Sequence, residues 1–218
     1  MGCGRQLLTP TSDLWLATII AAAGVYFFSG YFTTVRFDQE RIEVKVGRGR
    51  ILVTGLYHYT NASALPAVLT LKVPFPVDEN HPKPDWYGIF ESTEDGGTRD
   101  GILPAVRGSD VTIRLFFRPR EAKWIRLDYG QRARTPLGRY LLTTTRAWRR
   151  PIAHAEFLLR LPRDFELGES NYPVNTRALN GPWKTYSFSK SNFLPAVDWE
   201  FSWHEPSVEA AMCGGEWP

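Results

Sequence analysis

"RIEVKVGRGRILVTGLYHYTN", residues 41–61, alternates. Ile42, Val44 and Val46 are separated by charged residues, and beyond the Gly-Arg connection Ile51, Val53, Tyr57 and Tyr59 again share one face. A period of two marks a half-buried strand, because successive side chains point to opposite faces of a sheet. Two such runs joined by "VGRGR" read as neighbouring strands. That glycine-bearing segment opens no helix, so it is not a phosphate-binding loop.

The pattern repeats along the chain. "VLTLKV" (68–73) is closed by "PFP" at 74–76. "VTIRLFF" (111–117), "KWIRLDYGQ" (123–131), "RYLLTTTRAW" (139–148), "HAEFLLRLP" (154–162), "KTYSFS" (184–189) and "VDWEFSW" (197–203) follow. Each is rich in Val, Ile, Thr and aromatic residues, the types that suit a pleated surface. Turn signals separate them: "PFPVD", "GGTRDG", "GSD", "TPLG", "LPRD" and "NGPW". No segment after residue 32 keeps a 3.6-residue period. The expected fold is all-β: an immunoglobulin-like antiparallel β-sandwich over residues 41–206, with a tail at 207–218. Trp199, Phe201 and Trp203 alternate on one strand face and are expected in its core.

Two long stretches, 77–100 and 163–183, interrupt the strands. Loops of such length in a compact domain are either disordered or functional. Their aromatic residues favour docking, which nominates Trp86, Tyr87, Tyr172 and Trp183 as partner contacts. Trp217, in the Gly- and Pro-bearing end, joins them because that tail offers it no core.

The other departure lies at the N-terminus. "LWLATIIAAAGVYFFSGYF", residues 14–32, holds nineteen residues and no charge. At about 1.5 Å per residue it makes a helix of roughly 28 Å, close to the thickness of a bilayer core. Ser12 or Asp13 can cap it, and Trp15, Tyr26, Tyr31 and Phe32 sit where interfacial aromatics gather. A cleaved signal would want a basic leader and a small-residue site followed by the mature chain. Here only Arg5 precedes the stretch, and bulky apolar residues follow "AAA". The expectation is an uncleaved transmembrane helix after a short tail (1–13), joined to the sandwich by a linker (33–40). Ala17, Ala21 and Gly24 form a small-residue strip along it, suited to a neighbouring helix. With no ionisable side chain, the helix cannot relay protons or ligate haem or chlorophyll through histidine. The two cysteines, Cys3 and Cys213, fall on either side of it and are not expected to pair.

The spacing of "ILVTGLYHYTNASALPAVLTLKVPFP" and "YLLTTTRAWRRPIAHAEFLLRLP" resembles bacterial membrane-anchored envelope proteins of β-sandwich type. In these, a strand ending in Tyr-x-Asn leads to a strand closed by a Pro-rich corner. The resemblance covers residues 42–162 and rests on structural corners, so it implies fold and no activity.

Catalytic patterns are missing from the sequence. His58, His81, His154 and His204 lie in no HExxH or Cys/His arrangement. His81, near Asp78, Glu79 and Asp85, comes nearest to a metal ligand. No GxSxG occurs, and "EDGGTRDG" lacks the order of a calcium loop. The chain reads as a non-enzyme with no cofactor and no metal.

Charge is more informative. Eleven Lys or Arg lie between Arg114 and Arg150, opposed only by Glu121 and Asp128, whereas residues 78–100 hold seven acids. Such asymmetry suits anionic headgroups or an acidic partner surface. Arg118, Arg120, Arg149 and Arg150 flank turns and are the candidate contacts. Nucleic acid is excluded as a partner, since no reading helix or RNA-binding signature accompanies the arginines. Arginines following the stretch point the domain to the cytoplasm. Long domains translocate largely regardless of charge, however, and the expectation is a single-pass inner-membrane protein with its bulk in the periplasm. Together these features suggest a non-catalytic accessory or scaffold subunit of a large bacterial membrane complex. Its partners would be other subunits and membrane lipid, with no small-molecule substrate. A photosynthetic reaction centre–light-harvesting complex is the first candidate and a respiratory complex the second. The alternative is an envelope ligand-binding module using the 77–100 and 163–183 loops.

Overall fold

The computed structural model describes residues 34–108, 110–174 and 176–206. The expected span at 14–32, with Ala17, Ala21 and Gly24, and the tail with Trp217 lie outside these residues. Among the described residues no helix is long and apolar enough to cross a membrane.

The described residues form β1 (Val35–Gly47), β2 (Arg50–Asn61), β3 (Ala67–Val73), β4 (Trp86–Ser92), β5 (Thr98–Gly101), β6 (Ala105–Arg107), β7 (Asp110–Phe117), β8 (Ala122–Arg132) and β9 (Leu137–Tyr140). A 3-10 helix (Thr143–Trp148) follows, then β10 (Ile152–Pro162), β11 (Glu166–Ser170), β12 (Thr176–Asn180), β13 (Trp183–Phe193) and β14 (Trp199–His204). Eight strands build one sheet in the order β12-β13-β10-β1-β2-β8-β4-β5, and two three-stranded sheets, β3-β7-β6 and β11-β14-β9, complete the fold. The fold is all-β, mostly antiparallel and sandwich-like, as the alternation indicates. One pair departs from antiparallel: β1 and β10 run parallel, with Ile42 opposite Phe157. A parallel pair needs a long crossover, and here β2 through β9 supply it. An immunoglobulin-like sandwich divides its strands between two comparable antiparallel sheets. This chain instead sets one large mixed sheet against two small ones.

A continuous apolar core joins the three sheets. On one side Trp199 of β14 presents its edge to Phe157 of β10 and Phe188 of β13, at centroid distances of 5.7 and 5.2 Å. On the other, Phe75, just after β3, meets Tyr129 of β8 edge-on at 5.2 Å. Trp199, Phe201 and Trp203 are all buried.

Three boundaries differ from the sequence expectation. The stretches 77–100 and 163–183 are not loops throughout, because β4 and β5 lie in the first and β11 and β12 in the second. These are short strands with glycine and register shifts, which erase a period of two. "RYLLTTTRAW" is not one strand: β9 stops at Tyr140 and the 3-10 helix begins at Thr143. The buried Asp198 carboxylate causes the turn, accepting the Leu142 and Thr143 backbone N–H groups at 3.0 and 2.9 Å and the Thr143 hydroxyl at 2.8 Å. Finally, β1 begins at Val35, within the expected linker 33–40.

Candidate functional site

The early start of β1 creates the site. In "VRFDQERIEVKVG" neither phase of alternation works alone. The phase of Val35 and Phe37 would bury Arg41, Glu43 and Lys45, and the phase of Ile42 would bury Arg36 and Asp38 as well as Glu40. A β-bulge between Phe37 and Gln39 resolves the conflict by inserting one residue. The inward residues become Val35, Phe37, Glu40, Ile42, Val44 and Val46, all of them buried. Glu40 shares the phase of Ile42, Val44 and Val46 and so enters the core directly opposite Tyr57 of β2, while the bulge brings Val35 and Phe37 onto the same face.

Glu40 is 2% exposed, and its Oε1 has no hydrogen-bond partner. Burial pushes its carboxyl up to about 8, because no nearby donor or cation offsets the lost hydration. The carboxyl lines a cavity of about 120 Å³ where residues of all three sheets and the 3-10 helix converge. Leu71 and Ile113 come from β3 and β7, Tyr140 from β9, and Trp148 from the 3-10 helix. Three sheets meeting at one place cannot close as two flat layers do, and a hollow remains.

Its polar wall is tyrosine. The Tyr57 and Tyr140 hydroxyls share a hydrogen bond of 2.7 Å. Burial above all holds the Tyr57, Tyr59 and Tyr140 hydroxyls above their usual range. Gly55 makes this geometry possible: a Cβ there would overlap the Tyr57 ring and hydroxyl, which fold back over the strand. The aromatic wall is Phe37, Tyr59 and Trp148, with centroids 5.1 to 5.8 Å apart. Trp148 is held there by the helix that Asp198 caps. Burial works to raise the Asp198 carboxyl, but hydrogen bonds from Thr143 and Arg139 overcome it and hold the group below the usual carboxylate range.

The comparisons with known proteins bear on the scaffold that carries this cavity. No protein-family model matches the chain, and no curated protein matches it. Among solved structures it is similar to a provisionally assigned nutrient-binding protein from Legionella pneumophila. That match has a TM-score of 0.60 at 13% identity over 78% of this chain and 67% of that one. It is also similar to an M1 zinc metallopeptidase from Deinococcus radiodurans, with a TM-score of 0.45 at 15% identity over 77% of this chain and 42% of the other. What the first of these shares with this chain is the fold. At such identities the likeness carries no site residue across.

A second concavity is an open groove of about 590 Å³ lined by Asp78, His81, Arg139, Glu169 and Glu200 among others. His81, the nearest to a metal ligand by sequence, is buried there with both ring nitrogens engaged. Nδ1 is 2.9 Å from Asp78 Oδ1, and Nε2 is 3.0 Å from the Leu137 carbonyl. Among the described residues no group of three or more His, Cys, Asp or Glu gathers as a metal site.

The residues nominated from sequence are dispersed, and the cavity does not use them. Tyr172 is no surface contact. Its ring stacks on Phe188 at 5.3 Å, and its hydroxyl donates to the Val197 carbonyl at 2.9 Å. Trp86 is 47% exposed on β4 and lies over Gly130. Tyr87 beside it packs on Phe75. Trp183, half-buried, starts β13 opposite Asn180 and Pro162. Arg118, Arg120, Arg149 and Arg150 are exposed and stand at the end of the large sheet where β1 begins. Asn61, opposite Val35, donates to the Arg118 carbonyl, and Trp148, next to Arg149, packs on Phe37. Glu40 escaped the sequence reading. The signal that finds it is the alternation of Ile42, Val44 and Val46, which extends back to Glu40.

Proposed function

We propose that the β domain is a small-molecule-binding module whose site is the cavity around Glu40. The observation that carries this reading is the Glu40 carboxyl, buried against a hollow with an oxygen that the protein leaves without a donor. Such groups are costly unless something satisfies them. A carboxyl, a hydroxyl pair and aromatic walls around a small space are the parts of a ligand pocket. This reading favours the alternative drawn from sequence, but places its site in the interior rather than on the 77–100 and 163–183 stretches. The test is a thermal-shift screen of the full chain against small metabolites. A ligand at 100 times its Kd stabilises by about 2.7 kcal/mol, which is roughly 5–10 °C for a domain of this size. The shift should vanish when Ile113→Phe fills the cavity. Shifts that survive the filled variant would place binding elsewhere and end the proposal.

A second reading keeps the role suggested by sequence, an accessory subunit of a bacterial membrane complex anchored by residues 14–32. One observation favours it. Arg120 and Arg149 occupy left-handed backbone positions, with φ of 59° and 53°, where glycine is the unstrained choice. Long cationic side chains stand there, beside Arg118 and Arg150. In this reading they face acidic partners or anionic headgroups on the periplasmic side. Intact extraction followed by native electrophoresis tests it, and a chain migrating alone would overturn it.

A further inference from the structure

We infer that the Glu40 cavity takes a small organic cation, an ammonium head of no more than about six non-hydrogen atoms. The inference rests on the reading of the cavity as a binding site and adds the class of its ligand.

The walls argue for positive charge. Every interior titratable group facing the hollow is an acid: Glu40 on β1, Tyr57 and Tyr59 on β2, and Tyr140 on β9. Tyr129 on β8 and Tyr172 are also close enough to interact with this cluster. The one basic residue on the wall is Lys72 of β3. Its amine is at the rim, 2.7 Å from Asp110 Oδ1, with a side chain 62% exposed. The interior thus presents carboxyl and phenol oxygens and aromatic faces, all negative in local charge, with no interior cation to balance them. The Glu40 carboxyl has no basic partner in the hollow, so what its ionised form lacks is a positive charge. Aromatic faces attract a cation within about 6 Å of the ring centroid, most strongly when it is desolvated. Phe37, Tyr59 and Trp148 supply three such rings on one side of the hollow.

Size sets the limit. An engineered apolar cavity of about 150 Å³ holds benzene. At about 120 Å³ this one is slightly smaller, so an amine with a long tail would have to leave the tail outside. The way out runs past exposed Lys72 and Thr144 and half-buried Trp148.

Binding should depend on pH. A cation gains most from an ionised carboxylate, and burial holds Glu40 protonated up to about pH 8. Below that pH the ligand must expel a proton, so apparent affinity should fall by up to tenfold for each unit of acidification. The tyrosines, held above their usual range by burial, stay neutral throughout.

The experiment is isothermal titration calorimetry on the full chain at matched ionic strength. The probes are tetramethylammonium, neutral tert-butanol of the same size and shape, and benzene. The proteins are the parent, Glu40→Gln and Trp148→Leu, with folding checked by circular dichroism. Tetramethylammonium should bind the parent at least tenfold more tightly than tert-butanol. It should also tighten from pH 6.5 to 8.5 and weaken at least tenfold in Glu40→Gln, which keeps the shape and removes the charge. Trp148→Leu should weaken the cation more than benzene. Benzene binding without tetramethylammonium binding would overturn the cation while leaving the cavity as a site. Equal binding of tetramethylammonium to the parent and to Glu40→Gln would overturn it too. Failure of all three probes would remove the site itself and leave the hollow to water.

Discussion

Replacing Glu40 by Gln should stabilise this protein, and by an amount that depends on pH. The carboxyl has an ordinary value of 4.5 in the unfolded chain and about 8 in the fold. Below pH 4.5 it is neutral in both states, and whatever stability it permits is fully present. Between 4.5 and 8 the unfolded chain ionises while the folded chain stays protonated, so stability drains away by about 1.4 kcal/mol per pH unit. Above 8 both states are ionised and the loss levels off. The interval from 4.5 to 7 removes about 3 kcal/mol, and the interval to 8 about 5 kcal/mol. Glu40 is 2% exposed, so solvent screening does not reduce these figures. Glutamine matches the neutral acid in size and polarity and does not ionise. The variant should match the parent at pH 4.5, exceed it by about 3 kcal/mol at pH 7, and hold a constant margin above pH 8.5. Against a total stability of roughly 5–15 kcal/mol that margin is easily measured. Urea denaturation followed by tryptophan fluorescence at pH 5, 6, 7, 8 and 9 would trace it. Other titrating groups are common to both proteins and cancel in the difference. A margin flat across this range would mean that Glu40 has its ordinary value, and hence a donor or solvent access that the cavity argument denies.

Three more outcomes follow from the same geometry. Gly55→Ala should cost about 1–3 kcal/mol, because its methyl group displaces Tyr57 and breaks the bond to Tyr140; an unchanged denaturation midpoint would refute the account of Gly55. Asp198→Ala should cost at least about 1–3 kcal/mol by leaving the Leu142 and Thr143 donors unmet, and should loosen Trp148, read as a red shift in its fluorescence. The Asp198 carboxylate is held below its ordinary value of 3.8, so its contribution is present above that pH and disappears on acidification; a variant as stable as the parent at pH 7 would contradict this. Changing Arg118, Arg120, Arg149 and Arg150 together to Gln should leave the thermal midpoint within a few degrees. Exposed charges contribute roughly 0.2–1 kcal/mol each, yet association with membranes or partner subunits should release at lower salt, and salt dependence identical to the parent's would move any interface elsewhere.

How legible the fold was depended on how regular each strand is. β7 and β14 alternate throughout and β2, β8, β10 and β13 over most of their length, and their residues name both the fold class and the core, down to Trp199 and Trp203. Where a bulge or a cap intervenes, the pattern breaks. "RYLLTTTRAW" alternates in composition, but Asp198, more than fifty residues away in sequence, bends its second half into a helix. A contact so remote leaves no local trace. Tyr172 looked like a loop aromatic because the acidic and polar residues before it hide β11, yet it is a core residue. The parallel pairing of β1 with β10 was equally invisible, since both strands alternate alike in either orientation. The site was the least legible part. Its key residue is a glutamate among charged neighbours in "DQERIE", in phase with Ile42 and Val44 but of a type that reads as solvent-facing, and the bulge before it hides that Phe37 shares its face.

The strongest argument for a function at this place is the convergence of local costs. A strand is weakened by a bulge between Phe37 and Gln39. Its partner β2 is weakened by a glycine at its centre, since Gly55 costs roughly 0.5–1 kcal/mol relative to alanine in a regular element. A carboxyl is then buried without a donor, and a hollow is left where packing normally admits none larger than a water molecule. These departures are neighbours rather than scattered faults: Glu40 is opposite Tyr57 and Ile42 is opposite Gly55 on the same pair of strands. Each also serves the next. The bulge brings Phe37 onto the face of Glu40, the glycine lets the Tyr57 ring fold back, and the folded ring puts its hydroxyl on Tyr140 at the cavity wall. A core selected only for stability would place a leucine at residue 40 and close the space. Proteins break local rules of this kind where function requires it and offset the cost elsewhere, here in the aromatic stack of Phe157, Tyr172, Phe188 and Trp199. If Glu40→Leu stabilises the fold and abolishes binding of every small ligand, the cost and the function lie in the same atoms. If it stabilises the fold and binding persists, the hollow is an accident of three sheets meeting.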